Sequence, residues 1–327
     1  MEYIPFLLVF HITGHCNLKC CYCYANRYKR EHVDFDAIKD VLRQSKELGS
    51  RHVIFSGGEP LIHPEFHEIL EYASELQLGI HITSNGTLLD NETTVKLKSV
   101  DAKVTISLDG AFPEINDPLR GPGTFKMAVS AIENLVDNGV YTSMRMTLLK
   151  SNLFNVRDYI ELAIEKGVNR CIIERMTLSN YNKRELANLE ITKEDLFHTF
   201  KILYDYKDLK CLRIGSNDPL WLIFCRKNYI DKDNICGGCT AGVAAVSINP
   251  DLTVSPCPRL DIICGSLKDH SLKSLWKKSE VFRNLRNRNL FEGCNSCQFK
   301  NLCGGCRGAA HAHGFYLGRD PQCWRLE

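Results

Sequence analysis

The stretch Cys16-Asn17-Leu18-Lys19-Cys20-Cys21-Tyr22-Cys23 places three cysteines at intervals of three and then two residues, directly after an apolar run. Thiolates that close together, on a tight loop following a strand, can hold three corners of one iron–sulfur cube. A 4Fe–4S cluster has four irons, so such a loop leaves one iron without a protein ligand and open to chemistry. Cys21 falls outside the spacing and is expected to point away, while Tyr22 is placed to lie over the cluster. Zinc is the rival reading, because Cys-x-x-Cys pairs bind zinc readily and His15 stands where a fourth ligand would be needed. Spacing alone leaves both open.

A second motif separates them. Residues 56–60 read Ser-Gly-Gly-Glu-Pro at the end of a β-type run over 51–55. Cys-x3-Cys-x2-Cys after a first strand, followed by Gly-Gly-Glu-Pro after a second, resembles the radical S-adenosylmethionine (SAM) superfamily. That resemblance implies that the open iron chelates the methionyl amine and carboxylate of SAM. It also implies that one electron from the cluster cleaves a carbon–sulfur bond, giving methionine and a 5′-deoxyadenosyl radical. By position, Gly57, Gly58, Glu59 and Pro60 match the segment that binds the methionine amine. Ser84 and Asn85 join the cofactor-binding set, Ser107 and Arg120 sit where relatives hold the methionine carboxylate, and Glu174 is placed to reach the ribose. The plain alternatives for the last three are a turn serine, a solvated arginine before Gly121-Pro122-Gly123, and a surface glutamate.

The chain has 327 residues, enough for one large barrel or two ordinary domains. Apolar content is 44% and net charge only +2, which argues against disorder and against electrostatic steering to nucleic acid. Sixteen cysteines without a signal peptide point to metal-bound thiols in the cytoplasm rather than to disulfides. The apolar run over 4–10 is too short to span a membrane and reads as a buried strand.

Between residue 5 and about 176, short apolar runs alternate with amphipathic helical stretches. Strands are expected at 6–12, 53–55, 80–83, 104–108, 141–147 and 171–174, each but the last followed by a helix; Asp34 caps the first helix and Gly49 stops it. Units of this length make parallel strands with right-handed crossovers. The fold class is therefore α/β: a partial, open (βα)6 barrel followed by a small cysteine-rich iron–sulfur domain. The expected domains are a barrel over 1–176, a bridging helical region over 177–235 and a cluster domain over 236–327. All the motif residues follow strand C-termini, the face where ligands collect in parallel α/β folds. In the bridge, Trp221, Phe224 and Cys225 share a helix that Asp218 starts, as packing and capping residues.

The C-terminal part carries Cys236-x2-Cys239, an apolar hairpin turning at Asn249-Pro250-Asp251, and Cys257. Helical stretches near 271–287 follow, then Cys294-x2-Cys297-x5-Cys303-x2-Cys306 and Cys323. Eight cysteines suffice for two fully ligated 4Fe–4S clusters, or for structural zinc. The segment resembles the SPASM extension of radical SAM enzymes. That resemblance implies that Cys236, Cys239, Cys257 and Cys306 hold a nearer auxiliary cluster, and Cys294, Cys297, Cys303 and Cys323 a farther one. Leu252 departs from the family's Pro-Asp-Gly turn, and the Cys303–Cys306 gap is one residue shorter than in many relatives. Of the remaining cysteines, 21, 171 and 211 read as small hydrophobes. Cys225 and Cys264 are the two candidates for returning a hydrogen atom to a substrate radical. Arg307, His311 and His313 are either contacts to an anionic substrate or surface residues.

The cofactor set implied is three 4Fe–4S clusters, one catalytic and two auxiliary, together with SAM. The expected partners are a peptide or small-molecule substrate, an external one-electron donor of flavodoxin or ferredoxin type, and no nucleic acid or membrane. SPASM relatives mostly modify peptides, so oxidative peptide maturation by crosslinking, thioether formation, dehydrogenation or decarboxylation is the first expectation. The chain starts on its first strand, so a separate leader-binding protein is expected to present the peptide. Side-chain modification in haem-type tetrapyrrole synthesis is the alternative, because Cys303-Gly-Gly-Cys306-Arg307 and Asp320-Pro321-x-Cys323 resemble that branch equally. A non-catalytic electron carrier or scaffold would have no use for the Gly-Gly-Glu-Pro segment.

Overall fold

The computed structural model describes residues 3–179, 183–225 and 237–325. Among these residues, ten strands form one sheet: β1 (Leu7–Thr13), β2 (His52–Gly57), β3 (Gly79–Ser84), β4 (Lys103–Ser107), β5 (Thr142–Leu148), β6 (Arg170–Arg175), β7 (Arg213–Gly215), β8 (Ala245–Ile248), β9 (Thr253–Ser255) and β10 (Gly265–Ser266). Their spatial order is β10-β9-β8-β1-β2-β3-β4-β5-β6-β7. Every pairing from β8 through β1 to β7 is parallel, and only the β8–β9–β10 meander is antiparallel.

Helices cross over between the parallel strands. They are α1 (Phe35–Glu47), α2 (Phe66–Glu75), α3 (Asn91–Ser99), α4 (Pro113–Arg120), α5 (Thr124–Asp137) and α6 (Val156–Glu165). The bridge adds α7 (Lys183–Leu186), α8 (Lys193–Asp205) and α9 (Pro219–Cys225), and the C-terminal part adds α10 (Leu272–Lys278), α11 (Glu280–Arg286) and α12 (Arg307–Ala312). Asp34 caps α1 as its sequence suggests, accepting from the amides of Asp36 (3.0 Å) and Ala37 (3.3 Å). Its buried face is Ile38, Val41 and Leu42, and Gly49 follows its end at φ +102°.

Side-chain alternation sorts the sheet into two faces. Leu8, Phe10, Ile12, Val53, Phe55, Ile80, Ile82, Val104, Ile106, Met144 and Met146 are at most 2% exposed and join one core under the helices. Burial at this scale is the main stabilising term. Their neighbours of opposite phase, such as Val9, Ile54, His81, Thr83, Thr105, Ser107, Arg145 and Thr147, are only half-buried. The concave face is therefore an accessible lumen, and the loops after the strand C-termini form its rim.

The six expected strands are all present, but the sheet does not end with them. β7 extends it beyond β6, and β8 pairs with β1 in register Leu7↔Ala245 to Phe10↔Ile248. The cysteine-rich segment thus completes the barrel's own edge, covering hydrogen-bonding groups that β1 would otherwise leave open. The helical stretch near 271–287 is two helices, broken at Ser279. Among the described residues, no helix is long and apolar enough to cross a membrane.

Candidate active site

The cysteine loop leaves β1 and is fastened at once to the end of β2. The Gly58 amide donates to the Thr13 carbonyl and the Glu59 amide to the His15 carbonyl, both at 2.8 Å. These contacts need glycine. A Cβ on Gly57, whose φ is +135°, would stand 2.2 Å from the Thr13 carbonyl oxygen, and one on Gly58 would stand 2.0 Å from that of His15. Glu59, 1% exposed, turns back into the rim and accepts from Ser84 Oγ (2.8 Å), the Asn85 amide (2.8 Å) and the Leu61 amide (3.2 Å). Burial lifts its carboxyl to about 7, the hydrogen bonds only partly opposing. Asn85 Nδ2 reaches Asn17 Oδ1 at 2.9 Å, tying the turn after β3 to the cysteine loop. Cys20 is buried and Cys21 exposed, as the spacing requires.

Tyr22 and Arg120 form a brace that the sequence did not reveal. The Arg120 Nη1 donates to Tyr22 Oη at 2.7 Å and to Asp109 Oδ2 at 2.9 Å, and Tyr22 also contacts Asp109. Arg120 is 8% exposed, so it is not a solvated arginine; its Nη1 is committed to holding Tyr22 against the barrel. Ser107 closes β4 beside Arg145, its register partner on β5. Glu174 is likewise no surface residue. It is 4% exposed and accepts from Asn217 Nδ2 (2.5 Å) and from Arg259. Burial pushes its carboxyl up, but the Arg259 and Arg145 charges outweigh that and hold it at about 2.

The C-terminal thiols gather in two groups. Cys239, Cys257 and Cys306 are close enough to feel one another's charge. Cys236 lies outside the described residues. Cys294, Cys297, Cys303 and Cys323 line one small cavity together with Gly304, Gly305, Phe299 and Asp320. The two groups interlock. The Cys239 amide donates to the Cys303 carbonyl at 3.0 Å, and Gly238, at φ +78°, would place a Cβ 1.9 Å from that same oxygen. Arg288 Nη2 donates to the carbonyls of Gly237 (2.7 Å) and Cys239 (3.2 Å), while its Nη1 reaches that of Lys300 (2.6 Å).

These surroundings suit iron–sulfur clusters. Burial drives the free thiols upward, Cys20 and Cys257 to about 12, so each needs a cationic partner before it ionises. Backbone amides already lie against sulfur at Cys16 (Leu18 N, 3.4 Å), Cys257 (Arg259 N, 3.5 Å) and Cys303 (Gly305 N, 3.3 Å), a contact that tunes cluster thiolates. Arg307 leaves Nε and Nη2 buried without a partner close to Cys294, as a cation facing an anionic cluster would be. Among the described residues, no three His, Cys, Asp or Glu side chains converge as one metal ion would require.

Several expected roles change. Arg307 is 1% exposed and holds the carbonyls of Tyr316 (3.1 Å) and Gly318 (2.8 Å), with its guanidinium 4.4 Å from the Phe291 ring, so it is neither a substrate contact nor a surface residue. His313 pairs with Glu190 at 2.9 Å. Cys264 lies by Ser279, where α10 gives way to α11; packed on the helix-covered side, it is not placed to meet a substrate in the lumen. Cys225 ends α9 half-buried against the core, while Trp221 and Phe224 stack at 5.8 Å as packing residues. Asp218 caps Leu220 (2.9 Å) but also pairs with Arg175 (2.6 Å), which binds Asp320 bidentately at 2.9 and 2.6 Å. That buried triad joins β6 to the last cysteine motif.

The model of the radical SAM superfamily matches residues 10–163, and that of the SPASM iron–sulfur cluster-binding domain residues 239–298. Mycofactocin maturase MftC of Mycobacterium tuberculosis is 30% identical over 331 residues, 98% of this chain and 83% of its own. The chain belongs to the radical SAM superfamily. It is a radical SAM enzyme of the SPASM-containing kind, with 4Fe–4S clusters and SAM as its cofactors. AdoMet-dependent heme synthase of Oleidesulfovibrio alaskensis is 26% identical over 97% of this chain and 86% of its own. The structure of SuiB from Streptococcus suis bound to S-adenosylmethionine superposes with a TM-score of 0.83 at 19% identity, covering 98% of this chain and 78% of that one, a likeness of fold.

Proposed function

We propose that this radical SAM enzyme oxidatively modifies a peptide and carries three 4Fe–4S clusters, one on Cys16, Cys20 and Cys23 and two in the C-terminal part. Cys236, Cys239, Cys257 and Cys306 would hold the nearer auxiliary cluster, and Cys294, Cys297, Cys303 and Cys323 the farther. The observation that carries the reading is the fastening of Gly58 and Glu59 to the carbonyls of Thr13 and His15, which holds the segment proposed to bind SAM against the cysteine loop. Held by Cys16, Cys20 and Cys23, the catalytic cluster would supply the one-electron reduction that cleaves bound SAM at its carbon–sulfur bond, with methionine leaving.

The chain's own residues do the rest. The Gly57–Pro60 segment and Ser107 orient the methionyl group, while Glu59 fixes Ser84 and Asn85 around it. Tyr22, braced by Arg120 and Asp109, covers the loop and excludes water from it. Glu174 remains charged beside Arg259, at the height in the barrel where ribose hydroxyls are expected. A peptide substrate is supported by the names of the relatives, among them a maturase at 30% identity. Tetrapyrrole side-chain modification is the second reading, supported by a haem synthase that matches 97% of this chain. A cytoplasmic location, a flavodoxin- or ferredoxin-type donor and a separate leader-binding protein complete the proposal. So does a division into a barrel (1–176), a bridge (177–235) and a cluster domain (236–327) that shares the barrel's sheet.

Anaerobic reconstitution tests it. About twelve irons per chain are expected, with 5′-deoxyadenosine formed under dithionite and lost when Cys16, Cys20 and Cys23 are all changed to Ala. Iron without SAM cleavage overturns the catalytic assignment. Turnover of a porphyrin, and of no genomically neighbouring peptide, decides for the second reading.

A further inference from the structure

Among the described residues, Arg145 is a cation of the inner face that makes no hydrogen bond or contact ion pair, although its charge reaches Glu174. Arg145 lies on β5 in the inward phase with Thr147, while Met144, Met146 and Leu148 face the helices. Its Nε is buried and has no hydrogen-bond partner, and no ion pair or hydrogen bond engages its guanidinium among the described residues. Glu174 is the carboxylate whose charge Arg145 feels, and Arg170 is a further cation within range. Glu174 is taken by Arg259 and Asn217, and Arg27 pairs with Asp261. Tyr24 also lies within range of the Arg145, Arg259 and Arg27 charges. Ser107, half-buried on the adjacent strand, is its register neighbour. An unpaired guanidinium held in a partly desolvated cleft is costly to the free protein and suits a ligand that supplies the missing anion.

We propose that Arg145 is the site that receives a carboxylate group of the substrate. This rests on the proposed radical SAM function, with the half-buried inner face of the sheet taken as the substrate chamber. Guanidinium meets carboxylate through parallel N–H···O bonds, which fix orientation as well as affinity. Both substrate classes can present a carboxylate, a peptide through its C-terminus or an acidic side chain and a porphyrin through its propionates. The chemistry is shared, and the experiment separates the sources.

The test is a cycle of protein and ligand changes on the reconstituted, SAM-bound enzyme, read by anaerobic calorimetry. The probes are coproporphyrin III against its tetramethyl ester, and acetyl-Gly-Ala-Gly-Phe as free acid against the amide. Wild type should prefer at least one free acid over its masked form by roughly 10- to 100-fold, and Arg145→Met should abolish that preference while leaving the masked probe's affinity unchanged. Arg145→Lys should recover part of it, because lysine restores the charge without the fork. The probe that shows the coupling identifies the source. SAM affinity and iron content should be unchanged in both variants, which also shows that they fold. If wild type binds no acid probe better than its masked form, or if the preference survives Arg145→Met, the proposal is wrong. It is equally wrong if Arg145→Met weakens SAM instead, since the carboxylate is then the cofactor's own. Failure of wild type to bind or cleave SAM would overturn the enzyme reading, a separate result.

Discussion

Replacing Gly58 with Ala should loosen the catalytic cysteine loop without touching any thiol. The added methyl would stand 2.0 Å from the His15 carbonyl oxygen and 3.0 Å from the Cys16 amide nitrogen. Carbon–oxygen contacts relax only near about 3.3 Å, so the two backbones must separate by roughly 1 Å or more. The Gly58–Thr13 and Glu59–His15 hydrogen bonds, both 2.8 Å, do not survive that movement. Each is worth about 1 kcal/mol net, and more where a buried partner is left unsatisfied, so a loss of about 2–3 kcal/mol is expected. Urea unfolding of the as-isolated protein measures this. Iron content and SAM cleavage after reconstitution measure the local effect, with the catalytic cluster lost first. Gly123→Ala is the control: its φ is +75° but nothing lies within 4 Å of the new methyl, so it should cost about 1 kcal/mol of backbone strain and leave iron unchanged. A Gly58→Ala protein with wild-type stability, full iron and full SAM cleavage would refute the claim that this close approach positions the loop.

Glu59 makes stability depend on pH. Its folded carboxyl titrates near 7 because it is buried, above the ordinary 4.5, so the stabilisation it gives is fully present below 4.5 and is lost as pH rises through about 7. The loss amounts to roughly 3 kcal/mol over that window; Glu59→Gln should flatten it, and parallel profiles for the two proteins would show the reasoning to be wrong. Arg175→Met strands Asp218 and Asp320, which are 3% and 1% exposed at the side chain, and should lower unfolding free energy by about 3–5 kcal/mol in a urea titration; an unchanged midpoint contradicts it. Cys264→Ala should leave iron content and turnover as in wild type, because its thiol packs beside Ser279 rather than at the lumen. A drop in turnover with full iron would restore it as a hydrogen donor.

What the sequence disclosed and what it withheld divide along physical lines. Strand phase, the Asp34 cap and the order of the two motifs are local, and each is written within a few neighbouring residues. The pairing of β8 with β1 joins residues more than 230 positions apart, and the Arg175–Asp320 pair spans 145. Neither has a local signature, since an arginine after Glu174 reads the same whether it meets solvent or a carboxylate. Leu252 stands between these cases. The turn it occupies was legible, and its φ of +65° shows that the backbone keeps the left-handed conformation that glycine would adopt there. The Asn249 carbonyl accepting from its amide at 2.9 Å, and its own carbonyl accepting from Leu267, hold it in place despite the side chain. Arg145 was within reach of the same local logic. In 142–148, Thr-Ser-Met-Arg-Met-Thr-Leu, the methionines and leucine mark the helix-facing phase, so the arginine must occupy the opposite phase, inside the barrel. A charge in that position has no solvent-facing explanation, which is a stronger pointer to a ligand than any of the spare cysteines.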